Sequence, residues 1–252
     1  MNKPRFLKKK YIIEIAKKFY YRASFFPGIV GLFINPFYFS RKDLAVHMLH
    51  FGRYITGKTL DIGCGGRHYE HLCNSKKYIG IEIDSEDNRR TKKADFYYDG
   101  NIIPFKDNSF DSIISNQVFE HVFNPNLFIT EAYRVLKPGG IMLLTAPFMW
   151  DEHEQPFDFA RYTSFGLQSI LEKNGFEIIE FRKSVDDVRA IIQMLCCYIQ
   201  KIIYTNNKFL NILLIIIFIS PLNILGQFIF FLTPKNPDLY LNNIFLVKKI
   251  KR

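Results

Sequence analysis

The stretch LDIGCGGRHYE (60–70) reads as a strand, a glycine turn and the start of a helix. Glycines at such a turn let the backbone approach a ligand closely, and a helix N-terminus supplies free N–H donors. That is the chemistry of a nucleotide-like cofactor site. Dinucleotide binders need G-x-G-x-x-G, the last glycine serving close helix–strand packing. Here the glycines are Gly63, Gly65 and Gly66, and the sixth position is His68, which argues against a nicotinamide enzyme. Acidic residues occur at the ends of later strands: Glu82, with Asp84 two positions on, and Asp99 before Gly100. A carboxylate has two acceptor oxygens and suits a vicinal diol. Two further groups could handle a proton. Glu120 and His121 come after the strand SFDSIISN (109–116), and the segment MWDEHEQPFDFARYTSFGL (149–167) contributes His153, Asp158, Arg161 and Tyr162.

Alternating helices and strands position these residues. Residues 41–55 read as a helix, and strands are expected at 58–63, 77–83, 94–99, 109–116, 140–147, 176–183 and 243–250. Between them, 126–136 is an amphipathic helix stopped by Lys137-Pro138-Gly139-Gly140. A further helix over 163–175 has a Thr or Ser N-cap and a closing glycine. Such alternation predicts a parallel sheet, whose ligands bind at the carboxyl ends of the strands.

The span 58–148 resembles class I S-adenosylmethionine (SAM)-dependent methyltransferases, in particular the broad type-11 group. LDIGCGG matches the first motif, and YIGIEID matches the second strand with its acidic end. YDGNIIPFKDNSFDSIISNQVFEHV matches the acidic, Leu-Pro-Phe, Phe-Asp and Glu-His-Val series, and RVLKPGGIMLLTAP the helix–turn–strand after it. The resemblance implies an α/β, Rossmann-like seven-stranded sheet of order 3-2-1-4-5-7-6, with strand seven antiparallel. It implies SAM as cofactor and S-adenosylhomocysteine as product. Carried over by position, Asp61, Gly63, Cys64 and Gly65 would surround the methionine part. Glu82 would take the ribose hydroxyls, with Asp84 in reserve. Asp99 and the Gly100 backbone would meet adenine, and Asn116 would lie near the methionine end. The segment after strand five is similar to the H…P.D..RYT stretch of type-11 methyltransferases encoded with cell-surface polysaccharide genes. This places His153, Asp158, Arg161 and Tyr162 at an acceptor pocket, with His153 the first choice of base and His121 and Asp158 the other catalytic candidates. A purely structural Asp158–Arg161 ion pair is the alternative. Ubiquinone O-methyltransferases carry an acidic residue three before the Glu-His pair and can bind a divalent metal there. Here that residue is Gln117, so no metal is expected.

Composition bounds the rest. The chain has 252 residues and a net charge of +10. Within residues 1–24 eight basic residues face only Glu14, so the remainder is too evenly balanced for a domain-wide nucleic-acid surface. The four cysteines form no Cys-x-x-Cys pair, no His/Cys cluster has zinc spacing, and free thiols in a reducing compartment are expected. No signal-peptide pattern comes after the basic start. Residues 5–23 read as a basic amphipathic helix, suited to an anionic membrane or to packing on its own domain. FFPGIVGLFINPFYF (25–39) reads as an interfacial or core-packing loop. The expected organisation is an N-terminal extension (1–40), a SAM-binding core (41–184), a hydrophobic helical insertion between strands six and seven (185–242) and the last strand (243–252).

Between Lys208 and Lys235 the insertion carries 26 residues without a formal charge. Strand seven must return to the same sheet, so an odd number of membrane crossings is excluded. A re-entrant or interfacial hairpin turning at Ser220-Pro221-Leu222-Asn223 is the favoured expectation. The alternatives are two spans (188–204 and 209–232) and helices packed on the domain or in a dimer. The function expected is methyl transfer, O-directed, to a lipid-linked glycan or surface-polysaccharide precursor by a cytoplasmic, peripherally or monotopically membrane-bound enzyme. A quinone or other lipid methyltransferase and a non-catalytic SAM-fold scaffold are the competing readings. The acceptor atom and the oligomeric state stay open.

Overall fold

The computed structural model describes residues 14 and 18–250. Most of the basic stretch 5–23 lies outside the described residues; from 18 to 25 the chain is helical. The chain divides into two compact units, one joining the residues up to Ala45 with Val185–Leu239, the other joining Val46–Ser184 with the residues from Tyr240. The division falls inside helix α1 (Tyr38–Gly52).

The second unit is a seven-stranded sheet of order β3-β2-β1-β4-β5-β7-β6. Its strands are β1 (Thr56–Ile62), β2 (Asn74–Ile83), β3 (Phe96–Tyr98), β4 (Phe110–Asn116), β5 (Leu136–Pro147), β6 (Phe176–Ser184) and β7 (Asn242–Lys249). Strands one to five pair in parallel, and β7 runs antiparallel between β5 and β6. Central strands covered on both faces are predominantly apolar. Accordingly Leu60, Ile62, Ile81, Ile113, Met142 and Leu144 are fully buried in one core. Helices α2 (Glu86–Thr91), α3 (Pro125–Val135) and α4 (Ser164–Lys173) begin at Ser85, Asn124 and Thr163. Each of these side chains accepts a first-turn N–H that would otherwise be unpaired.

The Lys137-Pro138-Gly139-Gly140 turn is not there. α3 stops at Val135, and the chain enters β5 directly at Leu136. The four residues are absorbed as an irregularity, the register passing from Phe110↔Leu136 to Ser112↔Ile141. Gly139 takes φ 78°, and a Cβ on Gly140 would meet the Asp111 carbonyl at 2.9 Å. The helix ends where its stop signal lies, but the chain continues into a bulge rather than a turn.

In the first unit, α5 (Arg189–Ile203) and α6 (Lys208–Phe230) are joined through residues 204–207. They pack through Ile192, Cys196, Ile199, Ile215 and Ile219. The expected hairpin at Ser220–Asn223 is corrected: α6 runs straight through it. Proline lacks an N–H and its ring crowds the carbonyl four residues back. The helix accommodates Pro221 by widening into a π turn over Ile215–Ile219. Asn223 is buried, and its Nδ2 donates to the carbonyls of Leu32 (3.0 Å) and Asn35 (3.1 Å). Gln193, also buried, accepts the N–H groups of Phe39 (3.1 Å) and Ser40 (3.3 Å) and donates to the Pro36 carbonyl (2.8 Å). The polar residues that interrupt the apolar helices thus satisfy the irregular backbone of residues 32–40.

Replacing Asn223 by leucine keeps the branched shape but leaves the Leu32 and Asn35 carbonyls without their donor. The unfolding free energy in a urea titration is expected to fall by about 2 kcal/mol. A fall within about 0.5 kcal/mol, the range of neutral surface changes, would contradict this role for Asn223.

Candidate active site

β1 delivers the chain to the carboxyl edge at Ile62, and the glycine loop begins there. Gly63 and Cys64 both donate to the Ile81 carbonyl, at 2.9 and 3.2 Å, so the loop is tied to β2. Gly63 has φ 72° and Gly65 φ 51°, the left-handed region that favours glycine. The two differ in surroundings. A Cβ on Gly63 would lie 2.4 Å from Val118 Cγ2, whereas one on Gly65 meets nothing within 4 Å among the described residues. Gly63 is required for packing, and Gly65 borders open space.

Glu82 closes β2 beside this loop. Its carboxylate is nearly buried, and Oε1 accepts the Gly65 N–H at 2.5 Å. Burial raises its pKa against the opposing effect of that hydrogen bond. Asp84, the reserve candidate, is exposed and engaged with Arg89 at 2.6 and 2.8 Å. Asp61 lies within the sheet under the loop and accepts the Tyr78 hydroxyl at 2.7 Å. Cys64 is buried, and burial pushes its thiol up to about 12, so it is no nucleophile. Asp99 is exposed and accepts the N–H groups of Asn101 (2.9 Å) and Ile102 (3.0 Å), which hold its carboxyl below the usual range. This Asx turn sets Gly100 at φ 82°. Asn116 ends β4, its Oδ1 accepting the Thr145 hydroxyl at 2.9 Å.

The second cluster is assembled by the segment after β5. Phe159 and Ala160 donate to the Glu120 carbonyl (2.9 and 3.2 Å), and the Tyr162 carbonyl accepts Asn243 Nδ2 from β7 (2.7 Å). This path brings His153 to His121, with ring centroids 4.8 Å apart. Asp158 is held by both arms of Arg161, at 2.6 and 2.7 Å, and accepts the His153 backbone N–H at 2.9 Å. Arg161 is the main cause holding its carboxyl down at about 2. Such a group stays ionised and orients His153; it is a poor proton acceptor at neutral pH. Glu120 is fully buried, and neither of its oxygens has a hydrogen-bond partner among the described residues. Burial pushes its carboxyl up to about 8. The sequence marks Glu120 and His121 together as groups that could handle a proton, but nothing in their spacing shows that the Glu120 carboxylate is buried and unpaired. Tyr78, the partner of Asp61, has no local signal at all.

The sheet order, the two left-handed glycines and the carboxylate closing β2 define the class I methyltransferase architecture. Residues 60–144 match the family model described as "Methyltransferase domain". A probable S-adenosylmethionine-dependent methyltransferase of Mycolicibacterium smegmatis is 28% identical over 60% of this chain and 63% of that protein. The ubiquinone biosynthesis O-methyltransferase of Maricaulis maris is 30% identical over 37% of this chain and 44% of its own. The chain thus spans less than two thirds of either relative. Among solved structures, the [4+2]-cyclase SpnF superposes with a TM-score of 0.55 at 16% identity, over 84% of this chain and 83% of that one. Residues 60–144 are thus similar to the methyltransferase domain of the type-11 group, and the fold is that of the class I methyltransferases.

The residues present fit SAM: an open space at Gly65 and a nearly buried carboxylate at the end of β2. Gly65→Ala is expected to fold at a cost of about 1–2 kcal/mol and to lose most S-adenosylhomocysteine binding in isothermal titration, its methyl entering that space. Gly63→Ala should instead lower the melting temperature sharply. Equal binding by Gly65→Ala and wild type would contradict the assignment.

Burial pushes the Asp61 carboxyl up to about 7, with Tyr78 opposing the shift. The folded-state value lies above the unfolded one, so the contribution is present at low pH and lost as pH rises through about 7. Relative to Asp61→Asn, wild type should lose roughly 1 kcal/mol per pH unit across that window, measured by urea unfolding at pH 4.5, 6 and 7.5. A constant gap would contradict it.

Proposed function

We propose that this chain is a SAM-dependent O-methyltransferase acting on a lipid-linked glycan or surface-polysaccharide precursor at the cytoplasmic face of a membrane. The observation that carries this reading is the insertion of an uncovered apolar helical unit into the methyltransferase sheet. α6 has a mean hydropathy of 2.4 over its most apolar window, of which only 28% is buried. α5 exposes Ile191, Leu195, Tyr198 and Ile202, one stripe at helical spacing. Exposed apolar surface this continuous marks an interaction site. The lysine-rich start of the chain suits anionic headgroups. α6 is long enough to span, but α5, with 15 residues, reaches only about 22 Å of a core about 30 Å thick. Both ends of the insertion belong to one sheet, so α6 lies along the interface. The exit at Ser184 and the return at Asn242 pair with each other at the carboxyl edge of the sheet.

SAM, when bound, supplies a methyl group already activated on a sulfonium, so alignment does most of the work. The glycine loop and Glu82 hold the cofactor. Asp158 and the Asp151 carbonyl, each 3.2 Å from His153 Nδ1, fix that ring so that Nε2 can take the acceptor's hydroxyl proton. His121 stands beside it.

The test is transfer of label from methyl-labelled SAM to three acceptors: a lipid-linked oligosaccharide, the same glycan freed of lipid, and a catechol-type quinone precursor. Label in the lipid-linked glycan, flotation with anionic vesicles and a 10²–10⁴-fold loss in His153→Ala are expected. Label confined to the quinone precursor would replace the glycan reading with the one to which the Maricaulis relative's name points. SAM binding without turnover on any acceptor would favour a scaffold.

A further inference from the structure

We infer that Glu120, His121 and His153 form a binding site for one divalent transition-metal ion. One ligand atom from each of the three lies within 4.8 Å of the others. Glu120 contributes a fully buried carboxylate with no hydrogen-bond partner among the described residues. An unpaired buried carboxylate is costly, and a cation is the group that would satisfy it. His121 Nδ1 lies 2.7 Å from the Phe157 carbonyl, which commits that nitrogen as a donor and leaves Nε2, 3.9 Å from Glu120 Oε1, with its lone pair. His153 Nδ1 is committed in the same way, to Asp151 and Asp158. Both rings therefore carry the outer hydrogen bond, to a carbonyl or carboxylate, that metal-ligating histidines characteristically make.

Two imidazoles and one carboxylate select a first-row transition ion such as Zn²⁺ or Mn²⁺ over Mg²⁺ or Ca²⁺, and they leave coordination positions open. Bonds of about 2.1 Å would draw the ligand atoms to about 3.4 Å apart, so the ion would bind with a small inward shift of the loop that carries His153. The sequence expectation of no metal looks for the third ligand at position 117. Gln117 Nε2 instead donates to Thr145 at 3.1 Å, and the third ligand arrives from the loop after β5.

The consequence for catalysis rests on the O-directed reading and alters one part of it. An acceptor hydroxyl on the ion would be acidified by it and lose its proton to solvent. The oxygen–methyl bond then forms as the sulfur–methyl bond breaks, leaving a neutral thioether. The imidazoles would serve as ligands rather than as the base.

The full-length protein, stripped with EDTA, is titrated with ZnCl2 and with MnCl2 by calorimetry, and loaded with Co²⁺ for its visible ligand-field spectrum. One ion per chain is expected. His153→Ala and Glu120→Gln should each weaken binding at least tenfold, Gln117→Ala should not, and circular dichroism confirms that the variants are folded. No stoichiometric binding, or equal binding by His153→Ala and wild type, overturns the site. Activity should fall on stripping and return with the ion; activity indifferent to the chelator restores His153 as the base. S-adenosylhomocysteine binding is measured on the same stripped sample. Cofactor binding without ion binding overturns this inference and leaves the methyltransferase reading standing.

Discussion

The return of β7 into the slot between β5 and β6 is the constraint on which the rest depends. Its ladder bonds close the sheet, but its first two residues, both buried asparagines, do more than pair. Asn242 Nδ2 reaches the Ser184 hydroxyl at the end of β6 (3.1 Å), so the chain's exit and return are tied together. Asn243 Nδ2 holds the Tyr162 carbonyl (2.7 Å), while its Oδ1 accepts the Tyr240 hydroxyl (2.9 Å), whose oxygen in turn accepts the Ser164 N–H (3.0 Å). The strand that closes the sheet therefore also anchors the segment carrying His153, Asp158 and Arg161. Whatever is spliced between Ser184 and Asn242 must begin and end at this one edge.

Buried polar groups separate structural from chemical roles elsewhere in the molecule. Gln193, Asn223 and Asn243 are buried with their hydrogen bonds made, and each organises backbone that has no regular partner. Asp158 is paired with Arg161 and orients its neighbour. Glu120 differs from these four: it is a fully buried carboxylate beside two histidines with neither oxygen hydrogen-bonded among the described residues. Fully satisfied networks rigidify a fold; an unsatisfied group in one calls for a ligand.

Much of the cofactor region is legible in the sequence because its signals are local. A glycine turn after a buried strand, and a carboxylate ending the next strand, depend on backbone geometry over a few residues. The helix cap at Thr163 is equally local. Less legible are features whose sense depends on a distant partner. Lys137-Pro138-Gly139-Gly140 reads as a turn until β4 supplies the register that makes it a bulge. Ser220-Pro221 reads as a hairpin tip until the π turn and the Leu32 and Asn35 carbonyls are in place to accept it.

The amino-acid sequence alone marked the alternation of strands and helices, the glycine turn and the position of the apolar insertion, which are properties of neighbouring residues; the sheet order and the class of cofactor were what its resemblance to the type-11 methyltransferases implied. Only the tertiary structure decided that the insertion carries one continuous helix rather than a hairpin, that Asp158 orients instead of accepting a proton, and that Glu120, His121 and His153 converge. Those three outcomes depend on burial and on contacts between residues far apart in the chain, and neither is written in the spacing of side chains along it.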